Sequence, residues 1–159
     1  GPEGDEIGKR TMVEGLKRVL PLAEQKKVTL AIEMLNSRVD IEMKGHPGYQ
    51  GDHTDYCMDI IKQVGSPRMK LLFDIYHVQI MDGDVVRNLR DNVDHICHIH
   101  VAGVPTRQEI DDTQELNYRF IANAIADLGY TGFVAHEHRP GPGRDPIKSL
   151  EQCFEILNV

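Results

Sequence analysis

KLLFDIYHV, residues 70–78, decides the fold class, because a nearly unbroken apolar run carries a single acid, Asp74. Runs of this kind are typical of strands that are buried on both faces of a parallel sheet. We therefore predict a strand over residues 70–78, with Asp74 near its carboxyl end. A parallel sheet requires the same pattern elsewhere in the chain, separated by helices.

Three further apolar runs have this character. We predict strands in VTLAIEML (28–35), HICHIHVAG (95–103) and GFVAHEH (132–138). Apolar residues at helical spacing predict helices over residues 6–27, 54–65, 84–93, 117–129 and 146–157. Pro21 is expected to kink or divide the first helix, and Asp52 or Thr54 to cap the second. Four strands that alternate with helices indicate an α/β fold, either a doubly wound sheet or a (β/α) barrel.

The composition indicates a single folded domain over residues 1–159. Hydrophobic residues make up 40% of the chain and charged residues 27%, as in ordinary globular proteins. The net charge of -7 argues against a nucleic-acid partner, whose phosphates require clustered Lys and Arg. No run approaches the ~20 apolar residues of a membrane span. The three cysteines are widely spaced, which suits a reducing compartment, and we expect a cytoplasmic protein with no membrane partner.

One ligand-type side chain lies at or near the carboxyl end of each predicted strand: Glu33, Asp74, His100 and Glu137. Any one of them alone could be a helix cap or an ion-pair partner. Together they would be costly to bury, because an unpaired carboxylate in an apolar site loses its hydration. A shared divalent cation would offset that cost, and parallel α/β folds place their sites at this end of the strands. Three carboxylates and an imidazole suit Mn²⁺, Mg²⁺ or Co²⁺, and they also permit Zn²⁺.

Six blocks of sequence carry a resemblance to a known family: AIEMLNSR (31–38), GHPGY (45–49), LLFDIYHVQIMDGD (71–84), HIHVAGVPTRQE (98–109), DDTQELNY (111–118) and HEH (136–138). In combination they resemble the hydroxypyruvate isomerase branch of the xylose isomerase-like TIM-barrel superfamily. That superfamily also contains ketose 3-epimerases and inosose-processing enzymes. The resemblance implies a parallel (β/α) half-barrel: four βα units of a TIM barrel preceded by a helix, the carboxyl-terminal half of a (β/α)8 barrel.

The same resemblance implies a divalent-metal-dependent isomerase of a small hydroxy-carbonyl acid or sugar, with Mn²⁺ or Mg²⁺ as the favoured cofactor. It implies four metal ligands: Glu33, Asp74, His100 and Glu137. It also implies that His77 contacts a substrate hydroxyl and that Arg107 binds substrate. The planar guanidinium of an arginine is well suited to bind a substrate carboxylate. Isomerisation moves a proton between neighbouring carbons through an enediol, and Glu33 and Glu137 would accept and donate that proton.

The remaining histidines carry weaker predictions. His98 is expected to face inward, one layer below the metal ligands, as a core residue or as a support for the site. His46 lies on a loop that could cover the site, so it is either a surface residue or a substrate contact. His136 and His138 point to the opposite face from Glu137 and are expected to be structural.

A TIM barrel has eight strands in about 250 residues, whereas this chain supplies four. A half-barrel has two unpaired edges and an uncovered interior, so we expect a homo-oligomer in which the edges pair. Catalysis is expected to suffer without the other half, because a loosely held site loses most of its rate.

Other functions stay open at this point. A sugar 3-epimerase or an inosose dehydratase would use the same four ligands and differ only in its substrate pocket. A phosphodiesterase, as in the DNA-repair endonucleases that share the barrel, would require more histidines and a basic surface. A non-catalytic half-barrel would retain the polar cluster without using it.

Overall fold

The computed structural model describes residues 2–159, which form a four-stranded parallel sheet in the order β1-β2-β3-β4. The strands are β1 (Leu30–Glu33), β2 (Met69–Asp74), β3 (Ile96–Val101) and β4 (Phe133–His136). The helices are α1 (Pro2–Lys26), α2 (Thr54–Val64), α3 (Ile75–Met81), α4 (Val85–Asn92), α5 (Tyr118–Asp127) and α6 (Pro146–Leu157). The predicted α/β half-barrel is confirmed. Each strand pairs with the next one along the chain, as in a barrel, whereas a doubly wound sheet reverses its strand order.

Helices cover one face of the sheet, and the hydrophobic core lies between them and the strands. Met69, Leu71 and Phe73 point to this face of β2 and are at most 1% exposed. Leu72 points to the other face and is only half-buried. Because side chains alternate along a strand, Asp74 lies on the same face as Leu72. The ligand-type residues therefore occupy the less covered face, which would be the interior of a closed barrel.

The strand predicted over residues 70–78 is too long, because β2 ends at Asp74 and α3 begins at once. The Asp74 carboxylate accepts hydrogen bonds from the backbone N–H groups of Tyr76 and His77. Those two groups would otherwise be unsatisfied at the start of a helix. The apolar residues after Asp74 therefore form a buried helix, which an apolar run alone does not distinguish from a strand.

Pro21 does not divide the first helix, because α1 continues through it as one helix of 25 residues. Pro21 removes the hydrogen bond to the carbonyl of Lys17, but both residues are exposed and water can reach that carbonyl. Leu20 and Ala23 pack in the core and hold the helix on either side of the proline.

No helix within residues 2–159 is both long enough and apolar enough to cross a bilayer.

Neither residue expected to cap α2 does so. His53 occupies the N-cap position and makes no side-chain capping bond, and the buried hydroxyl of Thr54 has no hydrogen-bond partner. The carboxylate of Asp82, in the turn after α3, accepts the backbone N–H of Thr54 at 2.9 Å. A residue distant in sequence therefore caps the helix. The predicted stop at Gly65 is confirmed, with this glycine in the left-handed region at φ 71°.

Candidate metal centre and active site

Four side chains from the four strands meet at the carboxyl end of the sheet. Glu33 and Asp74 end β1 and β2, His100 is the penultimate residue of β3, and Glu137 follows β4. Asp74 lies directly opposite His100 in the strand register. Each of the four residues offers one ligand atom, and these atoms all lie within 4.8 Å of one another. The residues predicted as ligands are thus assembled around one point.

The imidazole of His100 occupies the middle of this cluster. Its Nδ1 lies 2.9 Å from Oε2 of Glu137, 3.3 Å from Oε1 of Glu33 and 3.7 Å from Oδ2 of Asp74. None of these approaches has hydrogen-bond geometry, and Nδ1 is buried without a hydrogen-bond partner. Contacts with Asp74, Glu137 and Glu33 raise the pKa of His100 to about 11. Donor atoms that crowd together without bonding to one another are typical of a cation site.

Arg107 supplies the only arginine charge in direct contact with these acids in the described part of the chain. Its guanidinium binds Asp74 through two parallel hydrogen bonds of 2.9 and 2.7 Å and also donates to Glu137. Burial alone would raise the pKa of Asp74, but the contact with His100 and the charge of Arg107 hold it well below its usual range. Three N–H groups of the guanidinium are used in this way, which leaves two for a ligand.

The charges of the site fit a divalent cation. Glu33, Asp74 and Glu137 carry three negative charges, and Arg107 cancels one of them. With a neutral His100, a divalent ion would cancel the other two. Hard oxygen ligands with one imidazole favour Mn²⁺ or Mg²⁺ over thiophilic ions.

His77 lies beside this cluster and is fully buried. The backbone N–H of Asn36 donates to its Nδ1 at 3.0 Å, and the Asn36 side-chain nitrogen lies 2.7 Å from the same atom. Nδ1 is therefore an acceptor, and the ring carries its proton on Nε2, which lies 3.9 Å from Oδ2 of Asp74. Burial lowers the pKa of His77 to about 4, so the ring is neutral near pH 7. Asn36 was not predicted as a site residue, although it lies within the block AIEMLNSR.

A pocket of about 480 Å³ opens over the cluster. Its lining includes the predicted ligands Glu33 and Glu137 and all three predicted substrate-binding residues, His46, His77 and Arg107. The ring of His46 lies 6.2 Å from that of His77, so this loop contributes to the wall of the pocket. A larger depression of about 870 Å³ lies between α5, α6 and the loop before α5, and none of the predicted site residues lines it. The smaller pocket is therefore the candidate active site.

The other histidines lie where the strand alternation predicts. His98 packs against the ring of His100 with the centroids 4.9 Å apart. His136 and His138 point to the opposite face of β4 from Glu137, and both also reach the rim of the pocket. On the side of β4 that faces α6, they lie close to Cys153, a contact that the sequence did not indicate.

Residues 1–155 match the family described as Xylose isomerase-like TIM barrel. The 2-oxo-tetronate isomerase of Cupriavidus necator is 38% identical over 133 residues, which cover 84% of this chain and 48% of that protein. The hydroxypyruvate isomerase of Escherichia coli is 32% identical over 130 residues, covering 82% and 48%. A solved structure described as AP endonuclease, family 2, from Brucella melitensis superposes with a TM-score of 0.84 at 28% identity, covering 95% of this chain and 55% of that one. The chain thus spans about half the length of the proteins it matches.

Proposed function

The chain belongs to the xylose isomerase-like TIM-barrel family, and on that premise we propose that it carries the metal site of an isomerase of the hydroxypyruvate isomerase type. The substrate would be a small hydroxy-carbonyl acid or sugar. The observation that carries the proposal is the convergence of three carboxylates and one imidazole beneath a pocket with a neutral histidine and an arginine. Two relatives more than 30% identical are named as isomerases of 2-oxo-tetronate and hydroxypyruvate, which supports this class.

The metal ligands in this proposal are Glu33, Asp74, His100 and Glu137. Mn²⁺ or Mg²⁺ is the preferred ion, and Co²⁺ and Zn²⁺ are the alternatives that such ligands accept. When bound, a divalent cation supplies Lewis-acid polarisation of the substrate carbonyl.

Differences in exposure support Glu33 and Glu137 as the groups that move the proton. Their side chains are 31% and 46% exposed, whereas that of Asp74 is 0% exposed. Asp74 is also held by the first turn of α3 and by Arg107, so it serves as a fixed ligand. Glu33 ends one outer strand, Glu137 follows the other, and both line the pocket. One can take a proton from carbon while the other returns it to the neighbouring carbon.

His77 and Arg107 would orient the substrate. The Nε2–H of His77 is available to donate to a substrate hydroxyl, because Asn36 holds the opposite nitrogen as the acceptor. The two free N–H groups of Arg107 suit a substrate carboxylate. His46, on the covering loop, would contact the far end of the substrate.

Incubation with Mn²⁺ and, in separate reactions, hydroxypyruvate, ketohexoses and inosose tests this proposal, with the products identified by NMR. This choice of compounds separates the isomerase from the 3-epimerase and the dehydratase. Glu33→Gln and Glu137→Gln should each lower kcat at least about 100-fold, whereas Glu14→Gln, on the exposed face of α1, should not change it. Turnover of none of these compounds would exclude isomerase activity of this chain by itself. If calorimetry then showed Mn²⁺ binding that both variants weaken, the chain would be a metal-binding half-barrel without catalysis.

The similarity to one solved structure described as an endonuclease does not change the proposal. The cluster contains one histidine and three acids, and the chain has a net charge of -7. A phosphodiesterase that acts on DNA needs several metal ions and a basic surface.

All three cysteines, Cys57, Cys97 and Cys153, are free thiols, which supports a cytoplasmic location.

A further inference from the structure

A second cluster of metal-type side chains lies between β4 and α6, on the side of β4 opposite Glu137. It consists of His136, His138 and Cys153, and one ligand atom of each lies within 4.8 Å of the others. Cys153 is fully buried and the two histidines are half-buried. The proposed isomerase chemistry uses none of them.

Hydrogen bonds fix the tautomer of His138. Its Nε2 lies 2.8 Å from the hydroxyl of Ser149, and that hydroxyl lies 2.6 Å from the buried carboxylate of Glu109. Although burial raises the pKa of Glu109, hydrogen bonds from Ser149 and from the backbone of Gly141 lower it below its usual value, so the carboxylate is ionised near pH 7. The single hydroxyl proton of Ser149 therefore goes to Glu109, and His138 donates from Nε2.

This tautomer leaves Nδ1 of His138 as a bare lone pair. The atom is buried and has no hydrogen-bond partner, and the same holds for Nδ1 of His136. Sγ of Cys153 lies 3.8 Å from Nε2 of His138. Two orphaned nitrogens in a cluster that includes a buried thiol need an explanation, because buried polar atoms in proteins almost always have a partner. An ion that accepts electron pairs would satisfy both at once.

We propose that His136, His138 and Cys153 form a second metal site that binds Zn²⁺ or a similar thiophilic ion. Two imidazoles and a thiolate suit zinc and do not suit Mn²⁺ or Mg²⁺. Zinc ligands in a tetrahedral site lie about 3.5 Å apart, so shifts of about 1 Å would bring the three donor atoms onto one ion. The Glu109–Ser149–His138 chain is the kind of outer support that orients a ligating histidine.

Binding at this site would connect β4 to α6. The S–H bond of Cys153 breaks, its proton leaves to solvent, and the thiolate donates an electron pair to the ion, so one proton is released per ion. A shallow depression of about 300 Å³ reaches one of the three ligands, His136, and is otherwise lined by Leu150, Glu151, Phe154 and Glu155. The ion should therefore stabilise the folded chain as well as bind to it.

Titration with Co²⁺ tests the proposal, because cobalt bound to a thiolate gives a charge-transfer band in the near ultraviolet. The first site contains no sulfur, so this band reports the second site alone. We expect the band to saturate at no more than two ions per chain, because the first site also accepts Co²⁺, to disappear in Cys153→Ser and to remain in the matched control Cys97→Ser. It should also remain in Glu33→Gln, and added Zn²⁺ should remove it.

Two further variants keep the test decisive if Cys153→Ser fails to fold. His136→Gln removes a half-buried ligand that makes no hydrogen bond at Nδ1, and it should weaken Co²⁺ binding more than about 10-fold. Ser149→Ala keeps all three ligands and removes the support of His138, for which a loss of about 10-fold is expected. Circular dichroism checks that each variant is folded. Absence of the band in the unsubstituted protein, an undiminished band in Cys153→Ser, or unchanged affinity in His136→Gln would each overturn the proposal.

Discussion

His100 stands among three carboxylates, and cation binding at the first site depends on its proton. The pKa of about 11 means that the imidazole is protonated near neutral pH in the metal-free protein. A cation binds only the neutral ring, so binding must release that proton.

We therefore expect the affinity for Mn²⁺ to rise about tenfold for each pH unit between about pH 6 and about pH 8. The direction follows from the raised pKa, since a higher pH lowers the cost of deprotonation until the pH passes that value. Calorimetry in two buffers of different ionisation enthalpy should give one proton released per ion. Mn²⁺ is the suitable probe because it binds thiolate poorly and so avoids the cysteine of the second cluster. An affinity that is independent of pH would contradict the prediction.

Asn36 is hydrogen-bonded to His77, and replacing Asn36 should lower the stability of the fold. Its amide accepts from the N–H of Val39 at 3.0 Å and donates to the carbonyl of Lys44 at 2.7 Å, in addition to its contacts with His77. Asn36→Ala leaves buried polar groups without partners, so we expect the free energy of unfolding in urea to fall by about 2 kcal/mol.

The control for this variant is Asn123→Ala. Asn123 lies on the exposed face of α5 and donates to the carbonyl of Arg119. A surface substitution of this kind should change stability by less than about 0.5 kcal/mol. Equal losses in the two variants would show that the asparagine beside His77 has no special structural role.

The junction between β2 and α3 shows what a sequence pattern can predict and what it cannot. The apolar run before Asp74 predicts the strand, and the acid at its end predicts a site at the carboxyl edge of the sheet. The end of the strand is not predictable from hydrophobicity, because a short apolar segment such as IYHV can form either a buried strand or a buried helix. The capping bonds of Asp74 decide it, and these require the folded backbone.

The contacts within the site that the sequence did not indicate join segments far apart in the chain. Asn36 and His77 are separated by 41 positions, and Arg107 and Asp74 by 33. No local period or motif encodes such pairs. The four ligand positions could be predicted from the sequence. Each lies at the carboxyl end of its own predicted strand, and parallel strands bring these ends together.

The cap of α2 is a further long-range contact, and it can be measured. Asp82 accepts the backbone N–H of Thr54 and also contacts the imidazole of His53. Asp82→Ala removes this acceptor and should lower the free energy of unfolding by about 1 kcal/mol, the usual cost of losing a helix cap. Thermal or urea unfolding followed by circular dichroism gives the value.

Asp55→Ala is the matched control for the cap. Asp55 lies in the first turn of the same helix and is exposed, so its loss removes a similar charge but no capping bond. We expect a change below about 0.5 kcal/mol. If the two variants were equally destabilised, the charge near the helix terminus and not the hydrogen bond would be responsible.

The sheet as a whole is open on both sides, because β1 and β4 each pair with only one neighbour. Apolar side chains are exposed on β4 and on α6, which packs against it: Phe133 (75%) on β4, and Ile147 (65%), Leu150 (46%) and Phe154 (57%) on α6. Exposed apolar side chains beside an unpaired strand favour association. Closing this side would also exclude water from the pocket, and proton transfer between carbon atoms depends on that exclusion.

We therefore propose that copies of the chain associate through the β4 edge, and that Phe133→Glu disrupts this association. A carboxylate buried at the contact would lose its hydration without gaining a partner. We expect the dissociation constant from sedimentation velocity to rise at least about tenfold, which corresponds to about 1.4 kcal/mol. Phe120→Glu is the control, because Phe120 is also exposed, at 61%, but lies on α5 away from that edge. A monodisperse monomer at high concentration, or an equal effect of both substitutions, would show that the edge does not mediate assembly.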